Sequence, residues 1–231
     1  MPGPALPQFV ARLRRDDPDR FFAVLLAPAA LRADLALLAA FDLEIEAAAR
    51  RRTELAGPYP ALIRLQWWRD LIEGRTADPN HEIAGPLHAA LAQGRVAASD
   101  LLAMLDGREA EAEGVPDWPT WHDALRASAG GWAIASARLF GVDRPEHLAP
   151  AGIARAIWSI RPDTAFLPAG ARFDDLPAAA AAVLDAAGRL DLSRPARMLL
   201  LPARAARIRA RHTGLAVQAS MLRLWLFGGG P

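Results

Sequence analysis

At 231 residues and 52% hydrophobic content, the chain is long enough for one domain with a substantial core. The absence of cysteine excludes a disulfide framework, thiolate chemistry and Cys-bound metal. A net charge of +1, with no basic surplus outside the C-terminal segment, argues against nucleic acid as a partner. Alanine and leucine dominate, β-branched residues are scarce and no alternating run of strand length occurs, so the predicted class is all-α. Helices are expected over 6–15, 18–26, 29–51, 59–74, 81–94, 98–112, 119–140, 146–160, 175–189 and 195–226. Pro28 and Pro58 sit where first-turn prolines belong, and Gly57, Gly74, Gly94, Gly114 and Gly141 fall at stops. The main loops are expected at 74–80 and 161–174. No apolar run reaches the length of a bilayer span, and Met1 to Val10 lack the order of a secretion signal. The expected setting is cytoplasmic, or peripheral on a membrane.

The helix expected over 29–51 carries the most informative pattern. Leu31, Leu35, Leu38, Asp42, Ile45 and Ala49 follow the three-four spacing of a buried stripe. Asp42 therefore falls in line with core leucines, with Glu46 and Arg50 one and two turns further on. An acid there costs free energy unless it is paired, hydrated or metal-bound. Two readings follow. In one, the position is a boundary and Glu46 simply pairs with Arg50, contributing about 0.3–0.5 kcal/mol. In the other, the stripe lines a central cavity and the acids point into it.

Several motifs in order give the chain a resemblance. These are Pro18-Asp-Arg-Phe-Phe22, Pro28, Arg32, Phe41, Leu65-Gln-Trp-Trp-Arg69, Asp106-Gly-Arg-Glu-Ala-Glu111 and Phe166-Leu-Pro168. Together they resemble the squalene/phytoene synthase family over roughly residues 18–170. The resemblance implies a single-domain isoprenoid-synthase-type helical bundle around a central cavity, spanning residues 1–231. In family enzymes a helix reading Tyr-Ala-Phe-Cys-Arg-x-x-Asp-Asp-x-x-Asp faces that cavity. Aligned on Ala40-Phe41, the three acids fall on Glu46, Ala47 and Arg50. The second family motif, Asn-Ile-x-Arg-Asp-x-x-x-Asp, is matched by Gly152 to Pro168, with Arg161 taken as its arginine and Asp163 as the surviving carboxylate.

Carried onto this sequence, the resemblance implies Asp42 and Glu46 as a degenerate catalytic pair. It implies a ligand-facing set of Arg20, Phe22, Arg32, Arg50, Trp68, Arg69, Glu111 and Arg161. No cofactor is expected unless the chain is active, in which case Asp42, Glu46 and Asp163 would hold Mg²⁺. Family chemistry ionises an allylic diphosphate with Mg²⁺ held between facing carboxylate clusters. Ala40-Phe-Asp-Leu-Glu-Ile45 and Leu65-Gln-Trp-Trp-Arg69 are most similar to a degenerate branch that includes the phytoene-synthase-like mitochondrial complex I assembly factor. The first expectation is therefore a non-catalytic protein that binds an isoprenoid or lipid, or assists assembly of a membrane-protein client. The alternative is an active Mg²⁺-dependent prenyltransferase.

All 27 basic residues are arginine, for which a GC-rich coding background is the plainest explanation. After Asp191 the chain has no acid, yet it carries Arg194, Arg197, Arg204, Arg207, Arg209, Arg211 and Arg223. Residues 192–231 are accordingly expected to form basic amphipathic helices, either a solvated bundle face or a contact with an anionic membrane through Trp225 and Phe227. The five histidines show no metal-ligand spacing.

Overall fold

The computed structural model describes residues 7–51, 57–160, 167–187, 192–209 and 214–228. Among them the elements are helices and short 3₁₀ turns, with no strand. The N-terminal half comprises α1 (Gln8–Asp16), α2 (Pro18–Leu25), α3 (Arg32–Ala49), α4 (Tyr59–Ile72), α5 (Ala84–Ala92) and α6 (Ala98–Glu113). The second half comprises α7 (Trp118–Ala127), α8 (Ala129–Leu139), α9 (Ala149–Trp158), α10 (Leu176–Ala187), α11 (Leu201–Arg209) and α12 (Leu215–Phe227). All five glycines read as stops adopt positive φ, a conformation that costs a glycine little.

α3 is the axis of the molecule. It packs against α1, α2, α4, α6 and α8, and from Asp34 to Ala49 nearly every residue is buried. The expected one-sided stripe is thus an underestimate: Ala36, Leu37, Ala39 and Ala40 on the other sides are enclosed as well. A helix that is apolar around most of its circumference belongs in a core.

The segment expected as one helix over 119–140 breaks at Ser128, which ends α7 and precedes α8. Tertiary contact explains the break. α6 crosses there at Gly107, where an added Cβ would stand 2.5 Å from both the Ala124 carbonyl oxygen and the Ser128 nitrogen. Only a residue without a side chain lets the backbones approach so closely. The C-terminal stretch is likewise not one helix. A 3₁₀ turn over Pro195–Leu200 leads into α11, and α12 begins anew after Gly214 at φ +58°.

Capping follows the sequence signals. Asp17 precedes Pro18 and accepts the Arg20 N–H at 2.9 Å, while Asp117 accepts the Thr120 N–H at 2.9 Å to start α7. Asp117→Ala is expected to lower the urea midpoint of unfolding, because it leaves a first-turn N–H without its acceptor. His81 is also a cap, its Nδ1 accepting the N–H groups of Ile83 and Ala84 at 3.1 and 3.3 Å.

Candidate functional site

Asp42 lies halfway along α3 and is 0% exposed. Each of its oxygens meets a guanidinium: Arg20 Nη1 from α2 at 2.6 Å and Arg108 Nη2 from α6 at 3.0 Å. The pairing extends both ways. Arg20 Nε donates to Asp17 at 2.6 Å, and Arg155 Nη2 from α9 reaches the same carboxylate at 2.5 Å. On the other side Arg108 Nη1 donates to Glu111 at 2.8 Å, and the Ser128 hydroxyl donates to the second Glu111 oxygen at 2.6 Å. The result is a chain of alternating charge through the middle of the bundle, Arg155–Asp17–Arg20–Asp42–Arg108–Glu111, ending on Ser128. The Arg20 guanidinium also lies 5.1 Å from the centre of the Trp132 ring.

Burial by itself pushes the Asp42 carboxyl up, but Arg108, Arg20 and Arg155 outweigh it and hold the group below the usual carboxylate range. Asp17 behaves alike: burial opposes its charge, and Arg155 and Arg20 win. Burial disfavours the charge on Arg20 too, yet Asp17, Asp42 and Glu46 raise its pKa. Asp42, Asp17 and Arg20 are therefore ionised at neutral pH, as a low-dielectric interior tolerates when buried charges have close partners.

Beside this network a recess of about 790 Å³ opens between α1, α2, α3, α9 and α11. Its α3 wall carries Glu46, Ala47 and Arg50, and its α9 side carries Arg155, Trp158, Ser159 and Ile160. Asp17 and Arg155 belong to both the recess and the network. Glu46 pairs with Arg50 at 2.5 Å and stands 3.8 Å from Arg108. Arg209 bonds Asp19 at 2.5 Å, tying α11 to α2 across one edge. The three positions aligned with the family's first acidic motif thus share one wall.

The expected ligand-facing residues divide. Arg20 and Glu111 sit in the network, and Arg50 lines the recess. Trp68 does not border it: the ring is fully buried, edge-on to Phe41 at 5.4 Å and Trp67 at 4.8 Å, as a core residue. Arg69 instead ties α4 to α6 through Asp106 at 2.6 Å and Glu109 at 2.9 Å. Arg32 is exposed and donates to the Ala27 carbonyl at 2.9 Å, closing the turn after α2. Phe22 packs against the hydrophobic core. Arg161 and Asp163 lie outside the described residues.

Three central residues were missed from sequence. Asp17 carried a visible helix-start signal before Pro18. Arg108 falls on the buried α6 stripe of Leu101, Met104, Leu105 and Ala112, the kind of misfit that singled out Asp42. Arg155 stands in Gly152-Ile-Ala-Arg155, which fits Asn-Ile-x-Arg better than Arg161 does, and it faces the recess. In that register the two acid positions fall on Ala156 and Ile160.

Among the described residues the carboxylates expected for Mg²⁺, Asp42 and Glu46, are already held by arginine, and Asp163 lies outside them. Both Asp42 oxygens are taken by guanidiniums, Glu111 is shared by Arg108 and Ser128, and Glu46 lies between Arg50 and Arg108. A dication placed among them would have to displace buried arginines and face their charge at close range. Among the described residues no three acidic or histidine side chains converge as a ligand set.

Helices enclosing a buried central helix, with a charged recess alongside it, make an all-α fold consistent with the isoprenoid-synthase type. The chain belongs to the squalene/phytoene synthase family, whose profile matches residues 13–220. The match reaches into α12, well beyond the 18–170 over which the motifs were recognised. No curated protein and no solved structure gave a significant match.

Proposed function

We propose that this chain is a non-catalytic member of the squalene/phytoene synthase family that holds an anionic isoprenoid or lipid in the recess without a metal ion. One observation carries the reading: Glu46, Ala47 and Arg50 on α3 confront Arg155, Ser159 and Ile160 on the α9 side, where the family's chemistry needs facing carboxylates. Diphosphate departure requires Mg²⁺ to gather the leaving charge. Guanidinium groups bind phosphate oxygens strongly, which favours retention of the anion over its release. Leu43, Trp158, Ile160, Pro202 and Ala206 offer apolar surface in the same recess for a hydrocarbon chain. The volume is that of ordinary small-ligand sites, about 300–1,000 Å³. The likeness of Ala40 to Ile45 and Leu65 to Arg69 to the complex I assembly branch supports a role beside a membrane-protein client, with the bound lipid as part of that interface.

Purified chain incubated with farnesyl or geranylgeranyl diphosphate and Mg²⁺ is expected to release no pyrophosphate above background. Binding of the same compounds, followed by calorimetry, is expected to be unchanged by EDTA and about tenfold weaker in Arg50→Gln, which removes one charge-assisted contact. Metal-dependent pyrophosphate release that vanishes in Glu46→Ala would overturn the reading.

A further inference from the structure

α12 is apolar on both sides. Val217, Met221 and Leu224 face inward onto α11 and the Pro195–Leu200 turn. On the outward side Leu215 is 82% exposed, Leu222 39% and Phe227 78%, with Ala216 and Ala219 also exposed. Gln218 and Arg223 are the exposed polar residues of this face, and an apolar surface of this size beside them points to a covering partner. Among the described residues no helix is long and apolar enough to cross a membrane. The cover must therefore lie alongside α12.

Charge identifies that cover. From Leu192 onward the chain has no acid. Several arginines of this region are engaged within the protein: Arg194 stacks 4.4 Å from the Trp225 ring, Arg197 donates to the Leu226 carbonyl and Arg209 pairs with Asp19. Trp225 is therefore clamped by Arg194, and it is Phe227 that stands outward. Arg204, whose Nε donates to Ser220 on α12, gathers with Arg207 and with Arg223, the only charged residue on α12. Burial first, then the charges of Arg207 and Arg223, lower the Arg204 pKa, the mark of like charges held close together.

We infer that α12 lies in the plane of an anionic phospholipid surface, with Leu215, Leu222 and Phe227 in the headgroup–acyl boundary and Arg223 against lipid phosphate. A face rich in apolar side chains, on a pair of helices whose only charged residues are arginines, fits that partner, because burial of the apolar edge and attraction to anionic headgroups act together. A second copy docking α12 on α12 would set arginine against arginine, since this helix carries no acid.

The full chain is to be centrifuged with phosphatidylcholine vesicles, with and without phosphatidylglycerol, at low and high salt. It is expected to pellet with the anionic vesicles at low salt, about fivefold less in Arg223→Gln, and roughly tenfold less or lower still in a Leu222→Ser, Phe227→Ser double variant. A polarity-sensitive fluorophore attached through Leu222→Cys, the sole thiol in the chain, is expected to shift to the blue on the same vesicles. Both substituted side chains are exposed, so the melting temperatures should match the parent. No partitioning, equal partitioning into neutral vesicles, or partitioning indifferent to the α12 substitutions would each overturn the inference. So would self-association of the free chain in sedimentation that the double variant abolishes, which would assign the face to a second copy.

Discussion

Asp42→Ala is expected to lower the free energy of unfolding by about 3–5 kcal/mol, the range for removing one partner from a buried ion pair. The argument is local. Asp42 supplies both oxygens to Arg20 and Arg108, and those two side chains are themselves buried. Without the carboxylate, two guanidiniums face each other across a space too deep for water to screen them fully. Urea unfolding followed by tryptophan fluorescence measures the loss, and a slope equal to that of the parent would show that the unfolded state is unchanged. The effect must also depend on pH. Asp42 and Asp17 have folded-state pKa values depressed below the ordinary aspartate value of about 3.9. Their stabilisation is therefore complete above that value and is lost as pH falls through the folded-state values. The variant has no carboxyl at position 42 to protonate, so its deficit relative to the parent should shrink as the pH drops below about 4. A deficit that stays constant across that range would mean that the cost comes from the cavity and not from the charge.

Gly152→Ala should cost about 3 kcal/mol, at the upper end of ordinary overpacking. A Cβ there would stand 2.1 Å from the Ala129 carbonyl oxygen, 2.8 Å from its carbon and 3.0 Å from Gly130 Cα. All three are backbone atoms of α8, so no side chain can swing aside and the two helices must part. Arg155 lies less than one turn further along α9, and its contact with Asp17 is the first to be strained. The variant is expected to lose stability in urea and, at temperatures where it remains folded, to bind recess ligands more weakly. Retention of parental stability would show that α8 and α9 can separate without loss of packing.

The class and lineage of this molecule were legible because they rest on local and ordered signals. Alanine-rich helical spacing, the glycines at Gly57, Gly74, Gly94, Gly114 and Gly141, and the succession of motifs from Pro18 to Pro168 survive reading in one dimension. The break at Ser128 did not: Gly130 and Gly131 beside it weaken the helix, but what places the interruption is α6 pressing on it through Gly107. The same distinction divides the site. Asp42 declared itself as an acid on a leucine stripe, and Arg108 could have been found by applying that test to α6. Which arginine pairs with which acid could not be read, because Asp17 and Arg155 are 138 positions apart and only the fold brings them together. Trp68 and Arg69 show the converse: neighbours in a family-like motif were expected to share a ligand, yet one belongs to the core and the other to the α4–α6 contact.

The arginines threaded through the interior give this protein a counterion that is covalently its own. A bound metal can be chelated or diluted away, and a histidine can lose its proton near neutrality. The guanidinium does neither, since it stays charged up to a pH of about 12. The electrostatic field along the Asp42 axis is therefore set by the polypeptide alone, in ion-poor and ion-rich surroundings alike. The cations nearest the centre of this fold are supplied by translation.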